Sequence, residues 1–358
     1  MELNLDSEVL EAYGYTKENT KITQIGMGLI NRTYLLSLST EGNKYILQNI
    51  NTSVFKSPQA IANNLKAIGD YLNFNYPEYL FIKPVSTTRG EEMAHIRHEY
   101  WRMLPFVPNT ISLDVLADPK QAYEAARQFG KLSRLLDKFD ARILRPTIPG
   151  FHDLGLRYEQ FMFALNQADE TLKQAAKAQL SNALTHKYIL DYYNSYVHRD
   201  DFPDRVMHHD TKISNVLLDS KTNEGVCVID LDTIMPGKFI SDLGDMMRTY
   251  LCAFSENETD LDKIKIRLPY FEAMIKGYLS EMKSILTETE KELILFSGKY
   301  MTYMQALRFL TDFLSGNKYY PTTYPNQNLD RVKNQFKLLY ELSVNEKELQ
   351  GVIEENLV

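Results

Sequence analysis

Short apolar runs, each separated from the next by polar residues, characterise the first hundred positions of the chain. Three of them, at 21–25, 33–38 and 44–49, are punctuated by glycines and asparagines, a pattern that predicts three short strands joined by turns. Two further runs, at 81–85 and 95–104, lie on either side of a polar turn and predict two more strands. The chain therefore begins with a small sheet.

One helix is predicted between the third and the fourth of these strands. Ser57 is a favoured capping residue and Pro58 suits the first helical position, so we expect a helix from Pro58 to about Leu72. A small antiparallel sheet with one helix is thus the predicted N-terminal lobe, at residues 1–103.

The periodicity changes in the rest of the chain, where apolar residues recur at steps of three and four. The first such segment starts at Asp118 and Pro119, and most of the chain beyond it is predicted to be helical. The exception is a predicted hairpin made of the apolar runs 216–218 and 226–229. We therefore predict an α+β, bilobal fold whose larger, mainly helical lobe comprises residues 104–358.

Length and charge narrow the range of partners. A chain of 358 residues exceeds what one hydrophobic core usually organises, so two lobes with a cleft between them are expected. Forty basic and 47 acidic side chains give a net charge of -7, which disfavours nucleic acid or an anionic membrane as the main partner. The sequence lacks a signal-peptide pattern and any run of about 18 apolar residues, so we expect a cytoplasmic protein.

Polar residues that carry chemistry are concentrated around the predicted hairpin. The segment from His208 to Asn215 reads H-x-D-x-x-x-x-N, and the hairpin then leads to Asp230. Phosphoryl transfer needs a carboxylate that accepts the proton of an attacking hydroxyl, and oxygen ligands that hold magnesium on the phosphates. We therefore predict that Asp210 is the catalytic base and that Asn215 and Asp230 bind the metal. Turns and helix caps also use such residues, but they do not explain the combined spacing.

This pattern resembles the catalytic and metal-binding loops shared by protein kinases, aminoglycoside phosphotransferases and choline kinases. The segment 229–233 is similar to that of bacterial sugar 1-kinases of the N-acetylhexosamine type, whereas protein kinases carry Asp-Phe-Gly there. The resemblance implies a protein-kinase-like fold that uses ATP and Mg²⁺. It also implies that His208 braces the catalytic loop and that Asp242 anchors it by hydrogen bonds.

Candidate nucleotide contacts lie in the predicted N-terminal lobe. The turn after the first strand contains Gly26, Gly28 and Asn31 and resembles the nucleotide loop of the family, where glycines let the backbone approach phosphate oxygens. Two glycines alone are more typical of a simple turn, and it is the downstream motif that favours a nucleotide loop here. The resemblance also places a hinge at Arg102 and Leu104, where we expect contacts to adenine.

One position departs from the usual kinase pattern. The third strand carries Gln48 where a phosphate-pairing lysine is expected, and the following helix contains no glutamate to pair with it. Gln48 can donate a hydrogen bond to a phosphate or an adenine-side group, but it cannot supply charge. Similar sugar 1-kinases also have glutamine here, so the resemblance implies a subfamily trait. Arg32 and Lys56 are candidates for the missing positive charge.

Four residues are candidates for acceptor binding. The segments that contain His152 with Asp153, and Arg308 with Asp312, resemble those of N-acetylhexosamine kinases. Arg308 and Asp312 lie four residues apart and share one helix face, where they would either clamp sugar hydroxyls or form a structural ion pair.

Together these features favour an ATP-dependent kinase that phosphorylates the anomeric hydroxyl of a sugar, such as an N-acetylhexosamine. Two alternatives stay open. One is a kinase of another alcohol, such as choline, homoserine or an aminoglycoside. An acid-lined acceptor pocket would favour a cationic acceptor. The other is a non-catalytic nucleotide-binding pseudokinase, which the absent lysine and glutamate favour and the intact Asp210, Asn215 and Asp230 oppose.

Overall fold

The computed structural model describes residues 7–25, 30–39 and 42–358 of the chain. Its strands are β1 (Thr20–Gln24), β2 (Arg32–Leu38), β3 (Lys44–Ile50), β4 (Ala94–Ile96), β5 (Glu99–Pro105), β6 (Thr110–Ile111), β7 (Arg205–Met207), β8 (Val216–Asp219), β9 (Gly225–Val228) and β10 (Met235–Gly237). Its helices are α1 (Ser7–Glu11), α2 (Pro58–Asn75), α3 (Pro119–Leu135), α4 (Leu154–Gln167), α5 (Glu170–Ala175), α6 (Lys177–Thr185), α7 (Tyr188–Tyr196), α8 (Ile240–Tyr250), α9 (Leu268–Met282), α10 (Glu288–Glu292), α11 (Ile294–Leu314), α12 (Gln327–Val344) and α13 (Glu346–Leu357).

The N-terminal strands form one antiparallel sheet in the spatial order β1-β2-β3-β5-β4. Side chains alternate between its two faces, as the twofold period of a strand requires. Leu36, Leu47 and Met103 lie on one face and pack with Leu10 of α1. Gln48 follows Leu47 directly and therefore lies on the opposite face.

Two strand predictions in this region are wrong. Residues 81–85 form no strand and make only a single bridge between Val85 and Met103. Pro84 lies within this segment, and proline has no N–H to donate to a ladder. The run 95–104 is not one strand but belongs to the β4–β5 hairpin.

The residues in the turn of this hairpin explain why the sequence pattern did not predict the hairpin. Arg97 and His98 both adopt positive φ, at 47° and 70°. Two successive residues in this conformation make the tight turn that suits a hairpin, and glycine or asparagine usually occupies those positions. Because neither residue is typical of such a turn, the pattern gave no turn signal.

Helix α2 begins at Pro58 as predicted and continues to Asn75, three residues beyond the expected end. Ser57 occupies the capping position, but its side chain makes no capping hydrogen bond, so that part of the prediction is wrong. The apolar face of α2, with Ile61 and Leu65, packs into the core of the helical part of the chain. The helix thus joins the sheet region to the rest of the molecule.

The helical part is built around α3, which packs against α9, and α11, which packs against α4, α8 and α12. Helices α3 and α9 lie close together because Gly277 faces Tyr123, where a β-carbon would lie 2.2 Å from the Tyr123 carbonyl oxygen. Asp118 caps α3 through a complete capping box. None of the helices within the described ranges is long and apolar enough to span a membrane.

Candidate active site

Two loops meet because the strands at their ends pair with each other. The catalytic loop (208–215) runs from β7 to β8 and the metal loop (229–234) runs from β9 to β10. Strand β7 pairs with β10, and β8 pairs with β9. The N–H of Ile229 donates to the Asn215 carbonyl at 2.9 Å, and Nε2 of His208 lies 2.9 Å from the Ile229 carbonyl. Residues of the sequence motif are thereby brought to one place.

Asp210 is surrounded by donors. Its Oδ2 accepts from Nζ of Lys212 and from Nδ2 of Asn215, both at 2.9 Å, and its own N–H donates to Nδ1 of His208 at 3.2 Å. Burial raises the pKa of Asp210, but the charge of Lys212 and the hydrogen bonds from Lys212 and Asn215 outweigh burial, so the pKa lies below its ordinary value. The carboxylate is therefore ionised at neutral pH.

Side chains of helix α8 hold the backbone of the catalytic loop. The Asp242 carboxylate accepts from the backbone N–H groups of His208 and His209 at 2.8 and 2.7 Å. One turn later, Asp245 accepts from the N–H of Thr211 at 2.9 Å. Burial raises the pKa of Asp242 to about 6, although His208 and the two backbone donors oppose this. The loop backbone is thus anchored at three groups.

Sequence reasoning assigned no role to Lys212 or Asp245. Lys212 lies within the motif itself, two positions after Asp210, so its charge and spacing were the available signal. Asp245 shares one turn of α8 with Asp242, which was a weaker signal.

The metal loop presents oxygen ligands. Asp230 adopts a left-handed backbone conformation, with φ 58°, at the start of a short 3₁₀ turn. Burial and the charges of Asp232 and Asp210 raise its pKa to about 7, while two nearby basic groups oppose this. Asn215 uses its amide nitrogen for Asp210, and its amide oxygen is a ligand of the kind that Mg²⁺ prefers.

These residues fit a magnesium ion that phosphates help to bind. The crowding of carboxylates around Asp230 is an excess of negative charge that a cation would relieve. No cluster of three acidic, histidine or cysteine side chains suited to a metal occurs within the described residues. Mg²⁺ is typically held by one or two carboxylates together with substrate phosphates, so such a cluster is not required.

The predicted nucleotide loop is only partly described. Gly26 and Gly28 lie outside the described residues. Asn31 is buried, and its Nδ2 donates to Oδ2 of Asp232 at 2.6 Å. Its Oδ1 accepts from the N–H of Asn51 at 3.0 Å. Asn31 therefore binds the metal loop.

The backbone groups of Arg102 and Leu104 are not free to bind adenine. Arg102 pairs with Gln48 and Leu104 with Ile46 in the ladder between β3 and β5. The N–H of Phe106 donates toward the first residue of β3 at 3.4 Å. Since backbone groups along an antiparallel strand alternate in direction, those of Arg102 and Leu104 also point toward β3. This corrects the expectation that they form an adenine hinge.

The side chains of Gln48 and Arg102 instead form a buried cluster with the metal loop. Oε1 of Gln48 accepts from Nε and Nη2 of Arg102 at 2.9 and 2.7 Å, and its Nε2 donates to Thr33 at 3.1 Å. Nη1 of Arg102 forms an ion pair with Oδ1 of Asp232. Sequence reasoning missed this cluster, because its members are far apart in the chain.

The two candidates for a replacement charge lie elsewhere. Arg32 donates to Asn49 at 2.7 Å and pairs with Glu99 at 2.5 Å on the surface of the sheet. Lys56 is exposed. Neither contacts the metal loop in the described structure.

His152 and Asp153 have different environments. The His152 ring stacks on Phe151 and lies 5.3 Å from the ring of His209. Burial, with the charges of His209 and nearby arginines, lowers the pKa of His152 well below its ordinary value. Its Nδ1 has no hydrogen-bond partner among the described residues. Asp153 caps α4 by accepting from the N–H of Leu156 at 3.1 Å, so its carboxylate already has a structural partner.

Arg308 lies between aromatic rings beside the catalytic loop. Its guanidinium is 5.0 Å from the ring centre of Phe151 and 5.6 Å from that of Tyr320. Nη1 donates to Gln305 at 3.0 Å. Because Phe151 stacks on His152, and His152 lies beside His209, these residues form a contiguous group of side chains that reaches the catalytic loop. We call Phe151, His152, Arg308 and Tyr320 the acceptor wall, because they include the two predicted acceptor residues His152 and Arg308; their contact with an acceptor stays a prediction.

Asp312 does not pair with Arg308, which corrects both interpretations that their spacing suggested. Its Oδ1 accepts from the N–H groups of Lys318 and Tyr319, both at 2.8 Å. Its Oδ2 accepts from the N–H of Tyr320 at 2.9 Å. Asp312 therefore fixes the loop that carries Tyr320 to the acceptor wall, and its oxygens are occupied.

Known proteins share this architecture. The family model described as "Phosphotransferase enzyme family" (APH) matches residues 21–271. A microcompartment-associated aminopropanol kinase is 15% identical, with 96% of this chain and 97% of that chain covered and a TM-score of 0.64. Spectinomycin phosphotransferase in complex with ADP and spectinomycin is 15% identical, with 95% of this chain and 97% of that chain covered and a TM-score of 0.59. The ethanolamine kinase of Plasmodium vivax is 14% identical, with 91% of this chain and 84% of that chain covered and a TM-score of 0.56. The predicted α+β fold is confirmed.

Proposed function

Because this chain belongs to the APH phosphotransferase family, it is a small-molecule kinase, and we propose that it phosphorylates the anomeric hydroxyl of a sugar. The phosphoryl donor would be ATP and the product a sugar 1-phosphate. An N-acetylhexosamine is the favoured acceptor. The superfamily predicted from the sequence is the one that the family model identifies.

Asp210 is the proposed base. Its lowered pKa keeps it ionised, so it can accept a hydrogen bond from the acceptor hydroxyl and orient that oxygen toward the γ-phosphate. Phosphoryl transfer proceeds through a loose transition state in which positioning and charge stabilisation carry most of the catalysis. Lys212, 2.9 Å from Asp210, would supply positive charge beside the transferred group.

Asn215 and Asp230 are the proposed magnesium ligands. Bound Mg²⁺ would neutralise charge on the phosphate oxygens as the donor breaks down. The role of the protein is to hold these two oxygen ligands at the ends of β8 and β9, where the hairpin keeps them adjacent. His208 and Asp242 are proposed to keep the catalytic loop in position.

The charge of the acceptor wall is the observation that carries the choice of a sugar. A cationic acceptor would meet the guanidinium of Arg308, whose partners among the described residues are the uncharged Gln305 and two aromatic rings. The carboxylates of the two acidic candidates already accept hydrogen bonds from backbone N–H groups, since Asp153 caps a helix and Asp312 binds a loop. An aromatic wall with one arginine suits an uncharged, polyhydroxylated ring.

The alternative is a kinase of an amino alcohol, since the similar structures include an aminopropanol kinase and an ethanolamine kinase. An ADP-release assay with free hexoses, N-acetylhexosamines, aminopropanol, ethanolamine and choline separates the two classes. We expect turnover with a free reducing sugar and none with the cationic alcohols. Efficient turnover of an amino alcohol would refute the sugar assignment. Absence of turnover together with tight nucleotide binding would favour a pseudokinase.

A further inference from the structure

A buried arginine joins the N-terminal sheet to the metal loop. Arg102 of β5 is 1% exposed and its ion-pair partner Asp232 is 2% exposed. Taking two opposite charges out of water is favourable only when their geometry is held and their other hydrogen-bonding groups are satisfied. A contact of this kind is therefore expected to impose one arrangement on the elements that it joins.

Gln48 holds the guanidinium in that arrangement. It accepts two hydrogen bonds from Arg102 with one oxygen, and its amide nitrogen donates to Thr33 of the neighbouring strand. A lysine at position 48 would place a second positive charge against the guanidinium in a buried site. The glutamine thus goes together with the arginine, and the absent lysine has a structural reason.

The metal loop is held by other N-terminal elements as well. Asn31 donates to Asp232 at 2.6 Å from a position 201 residues earlier in the chain. Asn64 of α2 donates to the Ile234 carbonyl at 3.0 Å, so the helix that lacks the usual glutamate still contacts this loop. Asp230 immediately precedes the short turn that contains Asp232, so fixing Asp232 also fixes the metal-binding carboxylate.

We propose that Arg102, held by Gln48, is the positioning residue that takes the place of the missing lysine–glutamate ion pair. It acts through Asp232 on the orientation of Asp230 and does not touch the nucleotide, because its guanidinium is buried. This inference rests on the proposed function, since it assumes that Asp230 binds magnesium with a nucleotide.

Removal of the arginine charge alone, and of both charges together, tests this role. In Arg102→Met, a buried carboxylate loses its counter-charge, so we expect a lower melting temperature. Mg·ADP binding, measured by calorimetry, should weaken about tenfold to a hundredfold, the range for partners that orient metal ligands. In Arg102→Met/Asp232→Asn both charges are gone, so the melting temperature should recover while Mg·ADP affinity and kcat stay low. The exposed Arg142→Met variant is the matched control.

The results of these measurements either support or overturn the positioning role of Arg102. Wild-type Mg·ADP affinity and kcat in the double variant would show that the pair is merely structural and would overturn the proposal. A Gln48→Lys variant with higher kcat than the wild type would also overturn it, since we expect that lysine to lower the melting temperature and activity. If the wild type itself neither binds Mg·ADP nor releases ADP with any acceptor, the proposed function fails instead.

Discussion

The acids of the candidate site differ in the groups that face them. Asp210 meets a lysine, Asp232 meets an arginine, and Asp242 accepts from two backbone donors. Asp230 instead adjoins other carboxylates, and burial together with their charge raises its pKa. At the scale of single residues, Asp230 has no direct ion pair among the described residues and the two basic groups near it do not outweigh burial and the neighbouring carboxylates, so this is the position where a cation is expected.

Asp210→Asn tests the proposed base. An amide preserves the shape of the side chain but cannot accept the proton, so we expect kcat to fall by about a hundredfold or more. Mg·ADP binding should persist, since Asp210 is not a proposed metal ligand. Asp191→Asn, on the exposed side of α7, is a suitable control. Retention of a tenth of the wild-type kcat, at unchanged Mg·ADP affinity, would exclude Asp210 as the base.

His209 should make stability depend on pH. Its Nδ1 lies 3.1 Å from the carbonyl oxygens of Met207 and Thr233, and burial lowers its pKa to about 4 despite these contacts. The unfolded chain, with a histidine pKa of about 6.5, binds the proton first. The contribution of the neutral His209 to the free energy of unfolding is therefore fully present above about pH 6.5. It is lost as the pH falls toward 4, with a loss of about 2 kcal/mol at pH 5.

The measurement is urea unfolding of wild type and His209→Asn at pH 7.5, 6 and 5. Asparagine tolerates the positive φ of 66° at this position, so the backbone can be retained. We expect the variant to show a smaller loss of stability between pH 7.5 and 5, whatever its stability at pH 7.5. Equal pH slopes in the two proteins would contradict the assignment of a buried neutral imidazole.

At the scale of elements, the site is made by pairing. The β7–β10 and β8–β9 ladders place two loops together, and the first turns of α8 hold one of them. Local patterns predicted the hairpin to within a residue or two, because apolar runs and polar turns reveal it. They failed at residues 81–85, where a proline prevents a ladder, and at the β4–β5 turn, where the chain uses unusual residues.

The loop after α11 can be tested as one such element. Asp312→Ala removes the acceptor of three backbone N–H groups, so we expect the free energy of unfolding to fall by about 1.5 to 3 kcal/mol. Because this loop carries Tyr320 to the acceptor wall, the KM of the acceptor should rise more than that of the nucleotide. The exposed Asp169, whose side chain makes no capping bond, provides the Asp169→Ala control. An unchanged acceptor KM in a destabilised variant would separate the loop from acceptor binding.

At the scale of the whole molecule, the N-terminal sheet and the helical part meet at the metal loop. The contacts between them, from Arg102 and Asn31 to Asp232, join residues far apart in the chain. Motif spacing could bring Asp210 and Asn215 together, because both lie in one short loop. It could not predict contacts that depend on the packing of two lobes. The lobe boundary at 103/104 stays a prediction. It falls inside strand β5, and a boundary that keeps this strand whole would lie after Pro105.

The position of the phosphate on the product is the last test, and it concerns the cleft as a whole. The anomeric hydroxyl is the most acidic hydroxyl of a free sugar, so a carboxylate such as Asp210 suffices to assist its attack. The acceptor wall would hold the rest of the ring so that this oxygen faces the γ-phosphate. We expect phosphorus NMR of the product to show coupling to the anomeric proton, and a 1-deoxy sugar to be inert. Since the 1-deoxy analogue keeps every other hydroxyl, its turnover, or a 6-phosphate product, would refute the anomeric assignment and leave the kinase activity standing.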